Sequence, residues 1–386
     1  MNPLSRRAFV RGLGASVAGA IAIPRVFAAA QEAGGHRGEI FHFGQEFMKQ
    51  FHVPGMSVAF SRHGQLVYEH QFGMADAANA QQVLPASLFR IASVTKPITS
   101  VTVFNLIEQG KLRLSDKVFG PGGILGEKYG KPPYKQYVAD VTVDNLLTHT
   151  SGGWPNDSTD PMFQHDSWDH DKLISWAIKE VPLISPPGQH WAYSNFGYCV
   201  LGRVIEQVTG QPYSDYVTNN VLSRCGVTDM RIAGNKLHDR APNEVIYTGQ
   251  FGENPYNMNV TRMDSHGGWV ATATDLVHFL DAVAGVGNSA PLLNRDSVRT
   301  MTTPSPASNP TGEVRYARGW NVRDNGRGNW WHNGGLPGTS TIMVRTSSGL
   351  SWAALTNTQS EPSNEMDIAL DRMMWNMARA VPAWEA

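Results

Sequence analysis

The stretch Phe89-Arg90-Ile91-Ala92-Ser93-Val94-Thr95-Lys96-Pro97 governs the reading of this chain, because it sets a hydroxyl and an amine three residues apart at a helix start. Leu84-Pro85-Ala86-Ser87 before it reads as a loop. After it, Ile98, Val101, Val103, Phe104, Leu106 and Ile107 recur at mixed i+3 and i+4 spacings. That pattern predicts a helix largely buried in a core and ending near Gly110, with Ser93 and Lys96 on one face. A serine hydroxyl attacks a carbonyl at neutral pH only when a base beside it takes its proton. Lysine ordinarily titrates near about 10.4 and becomes such a base when burial or a neighbouring cation lowers its pKa. A place near the helix N-terminus also sets the Ser93 N–H beside a forming oxyanion. A capping serine followed by a solvated lysine has the same spacing, so the rest of the chain has to decide.

Upstream, Gly38 to Phe51 carries Ile40, Phe41, Phe43, Phe47, Met48 and Phe51, which suits an amphipathic helix. Met56 to Phe60 and Gln65 to His70 flank Arg62-His63-Gly64 and predict a β-hairpin. Downstream, residues 111–140 are rich in turn formers. Helices are expected near Thr142–Leu147, Asp171–Lys179, Val200–Glu206 and Thr274–Val283, with a long irregular run from Trp154 to Asp171. The last third changes character. Tyr316 to Val322, Asn329 to His332, Thr339 to Val344 and Leu350 to Thr356 read as strands, and Glu365 to Ala378 as a closing amphipathic helix. Strands at both ends with helices between predict an α+β fold, in which the terminal segments build one antiparallel sheet and a mainly helical region is inserted.

With 386 residues, 41% of them hydrophobic, the chain has an ordinary globular composition. Residues 1–30 stand apart: an arginine pair at Arg6-Arg7, a short apolar run from Leu13 to Ile23, and Ala28-Ala29-Ala30 predict an export signal of the twin-arginine kind. A periplasmic or secreted bacterial protein is expected. These residues hold four arginines and no acid, so their removal lowers the formal charge of −1 by four. A weakly acidic chain without basic clusters argues against nucleic acid as partner, and no later segment is apolar for long enough to span a bilayer. Cys199 and Cys225 allow either a disulfide or two buried thiols in such a compartment.

Two further motifs follow Ser93-Val94-Thr95-Lys96 in order, Tyr193-Ser194-Asn195 and His332-Asn333-Gly334. Around them stand Leu146-Leu147-Thr148-His149-Thr150-Ser151-Gly152, Gly267-Gly268 and Gly334-Gly335-Leu336-Pro337-Gly338. In these residues the chain resembles the serine β-lactamase and penicillin-binding-protein superfamily, in the branch of class C β-lactamases, D-alanyl-D-alanine carboxypeptidases and related esterases. The resemblance runs from about Gly38 to the C-terminal helix, essentially all of the expected mature domain at 31–386. It implies a β-lactamase/transpeptidase-like fold, with the α/β part at about 31–110 and 265–386 and the helical part at about 111–264. The implied activity is that of a serine hydrolase working through an acyl-enzyme on an ester, a D-amino-acid peptide or amide, or a β-lactam, with no metal and no cofactor. The alternative is a penicillin-binding or sensor-like protein that acylates without efficient turnover.

The resemblance also implies roles. Ser93 is the nucleophile, and Lys96 and Tyr193 share the proton traffic, the phenol being favoured as an anion by a nearby ammonium. Asn195 holds Lys96 and a substrate amide, and the N–H groups of Ser93 and Gly335 form an oxyanion hole. His332, Asn333 and Gly334 stand where the family has K-T-G. A histidine there is cationic only below about pH 6.5, so a neutral ester, an amide or a D-peptide is expected in preference to a β-lactam. His149 reads as structural. Trp154, Asn156 and Asp157 are candidates for the pocket, and Phe163 and Trp168 either wall it or pin the loop. His165, Asp166, Asp169 and His170 lack any wider zinc-like framework and read as a polar loop.

Overall fold

The computed structural model describes residues 36–287, 290–308, 314–323, 328–360 and 362–384, so the expected export signal lies outside the described residues. The predicted N-terminal helix is α1 (His36–Gln50), and the hairpin follows as β1 (Gly55–Arg62) and β2 (Gln65–Asp76), with a short β3 (Gln81–Gln82). His63 at φ +52° and Gly64 at φ +84° make the tight turn between them. α2 (Thr95–Glu108) carries Lys96 and stops before Gly110, which adopts φ +70°. α3 (Asn195–Thr209) and α4 (Ala273–Ala284) are the other long helices before the late strands. Those strands are β4 (Val314–Tyr316), β5 (Asn321–Arg323), β6 (Trp330–Leu336), β7 (Thr339–Arg345) and β8 (Leu350–Thr356), and α5 (Ser363–Ala380) follows.

The hairpin and the late strands form one antiparallel sheet of order β3-β2-β1-β8-β7-β6-β5-β4. β1 joins the distant β8 in the middle, with Val58 opposite Ala354 and Phe60 opposite Trp352. β1, β7 and β8, at the middle of the sheet, are buried on both faces almost throughout. Met56, Val58, Phe60, Trp352 and Ala354 pack beneath α1 and α5, while Ala59, Ala353 and Leu355 join the larger core shared with α2, α3 and α4. Cys199 and Cys225 are both free and buried.

Two elements differ from expectation. Tyr316 to Val322 is not one strand but β4 and β5 joined by a turn in which Ala317 N donates to Trp320 O. Gly319 forces the break: it adopts φ +83°, and a Cβ there would lie 2.6 Å from Ser100 Cβ and 3.2 Å from the Lys96 carbonyl, so the turn presses on α2. The helix Arg295–Thr302, capped by Asn294, was not foreseen, because Val298 and Met301 are its few apolar positions. Gly319→Ala should destabilise the protein by about 2 kcal/mol or more, read as a lower denaturation midpoint, since both the backbone and its neighbour resist a side chain.

Candidate active site

Ser93 follows a strained step. Ala92 is fully buried and adopts φ +47°, a conformation a non-glycine residue keeps only where its surroundings over-determine it. The step ends in the single turn Ala92–Val94 that leads into α2 and leaves Ser93 partly exposed. Lys96, fully buried one turn on, hydrogen-bonds Ser93 Oγ through Nζ at 2.9 Å. Its Nζ also donates to Asn195 Oδ1 at 2.8 Å and to the His266 carbonyl at 2.9 Å. Burial drives this amine well below the ordinary lysine range, with the Asp160 carboxylate pulling it back in part. A neutral amine fits the three partners: two N–H bonds serve the acceptors that carry no proton, and the lone pair faces the Ser93 hydroxyl.

Tyr193 arrives through a second set of contacts. His149, at φ +58° after the short helix Val143–Leu147, accepts a hydrogen bond at Nδ1 from Ser194 N at 3.0 Å, and its ring lies 4.2 Å from that of Tyr193. His149 is therefore structural, but its ring serves the second motif, through Ser194, rather than the turn after Leu147. Ser194 Oγ caps α3 by accepting from Gly197 N. The half-buried Tyr193 ring has the Lys96 Nζ 4.8 Å from its centroid, and its hydroxyl hydrogen-bonds Ser93. Burial raises the phenol above its usual range, and the Ser93 bond offsets only part of that. The expected phenolate beside an ammonium is therefore replaced by a neutral phenol beside a neutral amine.

Asn195 is held more completely than expected. Its Nδ2 donates to Asn156 Oδ1 at 2.9 Å and to Asp160 Oδ2 at 2.8 Å, so no amide donor is left for a substrate. Asp160 was not singled out from the sequence. It is fully buried, caps the turn Pro161–Phe163 through Met162 N, and has its carboxyl pushed up to about 6 by burial. An Asp in a long polar loop carries no local signature, and only its neighbours in space reveal it. Of the other loop candidates, Asn156 reaches the site, Trp154 is fully buried in the core and Asp157 faces solvent. Trp168 stacks on His165 at 3.6 Å and pins the loop, while Phe163 is 44% exposed. His170 bonds the Arg262 carbonyl, and Asp169 caps the helix His170–Glu180.

The third motif lies on β6. His332 does not present a cation: it is buried, its Nδ1–H donates to the Asn333 carbonyl, and its Nε2 accepts from Tyr316 Oη at 3.1 Å. Burial pushes it down to about 3, so the expected switch near pH 6.5 gives way to a neutral imidazole of fixed tautomer. Tyr316, also unforeseen, packs 4.5 Å from His149 and 6.0 Å from Tyr193. Gly334 brings the strand against the nucleophile: a Cβ there would stand 2.5 Å from the Ile91 carbonyl and 2.9 Å from Ser93 N. Leu336 and Thr339 close a two-residue hairpin, so Gly335 falls in the alternate set whose N–H points away from β7. β5 pairs only with Trp330 and Trp331 and leaves that edge of Gly335 uncovered by a strand. Ser93, Lys96, Tyr193, Asn195, His332 and Gly334 thus converge, with Asn333 and Gly335 on the strand's other face.

A model of the β-lactamase family matches residues 42–372. The chain belongs to that family. Penicillin-binding protein 4* of Bacillus subtilis is 26% identical over 331 residues, covering 78% of this chain and 67% of that protein. Protein flp of Staphylococcus aureus is 25% identical over 300 residues and is covered only to 58% of its length by 77% of this chain. Among solved structures, the D-amino acid amidase of Ochrobactrum anthropi SV3, complexed with L-phenylalanine amide, superposes with a TM-score of 0.72 at 22% identity, over 89% of this chain and 99% of that one. The octameric penicillin-binding protein homologue of Pyrococcus abyssi gives 0.71 at 23%, over 90% and 79%. These structural likenesses concern the family's fold.

Gly334→Ala should slow covalent labelling of Ser93 by a fluorophosphonate about 10²- to 10³-fold, because the added methyl displaces the Ser93 N–H that serves as an oxyanion donor, and should lower the denaturation midpoint as well, because it meets the Ile91 carbonyl at 2.5 Å. Asp160→Asn removes the charge that holds the Lys96 pKa up, so the acid limb of the pH profile of labelling should move to lower pH. An unmoved limb would show that the two groups do not couple.

Proposed function

We propose that this chain is a serine hydrolase that works through an acyl-enzyme on an amide or ester carbonyl. The observation that carries the reading is the 2.9 Å contact between the Ser93 hydroxyl and a fully buried Lys96 whose environment favours the neutral amine. Lys96 takes the Ser93 proton as Oγ bonds to the carbonyl carbon. Negative charge on the carbonyl oxygen is met by the N–H groups of Ser93 and Gly335, each such donor being worth about 3 kcal/mol. Tyr193, neutral and bonded to Ser93, gives its proton to the leaving group and regains one from the Lys96 ammonium. Water then adds to the ester carbonyl by the reverse route and frees Ser93.

Substrate preference follows from charge. His332 is neutral and Lys96 is spent on internal partners, so a substrate carboxylate finds no fixed cation in either residue. This favours neutral or amine-bearing carbonyl compounds over β-lactams and peptides that end in a carboxylate. The similarity to a D-amino acid amidase supports the same class. An export signal at the N-terminus would place the activity in the periplasm.

With p-nitrophenyl butyrate, turnover should continue well beyond one equivalent, and intact-mass analysis of quenched enzyme should find a butyryl adduct on Ser93. Ser93→Ala should abolish both, and Lys96→Met should lower kcat/KM by about 10²- to 10⁴-fold. Release of one equivalent followed by silence would instead describe a protein that acylates and stops.

A further inference from the structure

Beside Gly335 opens a cavity of about 510 Å³, lined among others by Phe163, Met258, Leu336, Gln359 and Asp367. That volume is in the range of small-molecule sites. Among the described lining residues, Asp367 is the one ionisable side chain. It stands on the first turns of α5 and is partly exposed. Ser340 Oγ donates to its Oδ1, and Ser340 lies directly opposite Gly335 in the β6–β7 register, so the carboxylate is held in the same cavity that Gly335 lines. The Asn333 side chain bonds Asp367 as well. The polar group of the third motif is thereby committed to an acid, and the pair offers a carboxylate rather than a cation to whatever enters.

We infer that this cavity receives an ammonium group carried by the substrate close to its scissile carbonyl, with Asp367 as the residue that binds it. The inference rests on the hydrolase reading above and names its substrate class: amides or esters of amino acids with a free amine. Two hydrogen bonds, from Ser340 and Asn333, leave oxygen lone pairs of Asp367 for a third donor. An ammonium of the substrate supplies that donor together with the missing charge. A carboxylate in the same place would meet Asp367 at close range, with no base among the described lining residues to offset it. The lining, with Gln359 beside the apolar Phe163, Met258 and Leu336, suits an amine attached to a hydrophobic side chain.

The test compares D-phenylalanine amide with its N-acetyl and N-succinyl derivatives, which turn one scaffold from cation to neutral to anion. Wild-type enzyme should favour the free amine over the acetyl compound by about 10- to 100-fold in kcat/KM, the range for a charge-assisted hydrogen bond, and should handle the succinyl compound least well. In Asp367→Asn the free-amine preference should collapse toward unity. Stoichiometric fluorophosphonate labelling of the variant shows that its site is assembled. Equal rates on the three wild-type substrates, or a preference that survives Asp367→Asn, would overturn the assignment while p-nitrophenyl butyrate turnover left the hydrolase reading standing. Loss of all turnover, that of the p-nitrophenyl ester included, would overturn both.

Discussion

A primary amine taken wholly out of water is the constraint around which this molecule is arranged. Buried as an ammonium, Lys96 would cost several kcal/mol unless fully paired; as an amine it needs only good hydrogen-bond partners. Those partners come from three places far apart in sequence: Ser93 before α2, Asn195 at the head of α3, and the carbonyl of His266. The His266 segment must therefore dock tightly. Thr99, one turn along α2, donates to the Ser265 carbonyl at 2.6 Å, and Asp264 is locked to Arg203 of α3. Gly202 permits the approach, since a Cβ there would meet Ser265 Oγ at 2.4 Å. The packing that fixes the reactive centre is also the packing that joins the helices behind it.

The charged side chains of the interior serve a different purpose from the reactive pair. Arg90, fully buried two residues before Ala92, donates to the carbonyls of Pro255 and Gly234 and lies against the rings of Tyr247 and Tyr256. Arg262 does the same for the carbonyls of His165, Trp168 and Met162. Arg318 ties the turn between β4 and β5 to Asp144. Each guanidinium satisfies backbone groups of irregular chain that no ladder would reach, which is how long loops stay ordered around a cleft. The centre itself is left with neutral groups, an aromatic surround of Tyr193, His149 and Tyr316, and one deeply placed acid in Asp160. In such a setting proton transfer between Ser93, Lys96 and Tyr193 need not create a lasting separated charge.

Much of the architecture could be read along the chain because the relevant physics is local. Two strand-like runs flanking Arg62-His63-Gly64 identify the hairpin, and the spacing of Ile98, Val101 and Phe104 identifies α2. The helix Arg295–Thr302 leaves no stripe in the sequence, since it rests on a cap and two apolar positions. The strand expected from Tyr316 to Val322 failed at Gly319, where the obstacle is a helix more than two hundred residues earlier in the chain. Asp160 and Tyr316 were silent for the same reason, each acquiring its role only beside Asn195 and His332. His332 was legible as a residue and misleading as a charge, since its titration is set by burial that no neighbouring letter records.

Residue types and spacing determined that a hydroxyl and an amine share one helical turn, and the family resemblance carried by three ordered motifs implied that a tyrosine and an asparagine two apart belong with them and that a glycine-rich strand closes the set. Tertiary structure decided what those groups are. It placed Lys96 beyond the reach of water, tied both amide hydrogens of Asn195 to Asn156 and Asp160, turned His332 into a neutral acceptor for Tyr316, and laid Asp367 beside Gly335. Helical spacing is a property of adjacent residues, whereas protonation state and hydrogen-bond commitment depend on desolvation and on partners that folding brings from elsewhere in the chain.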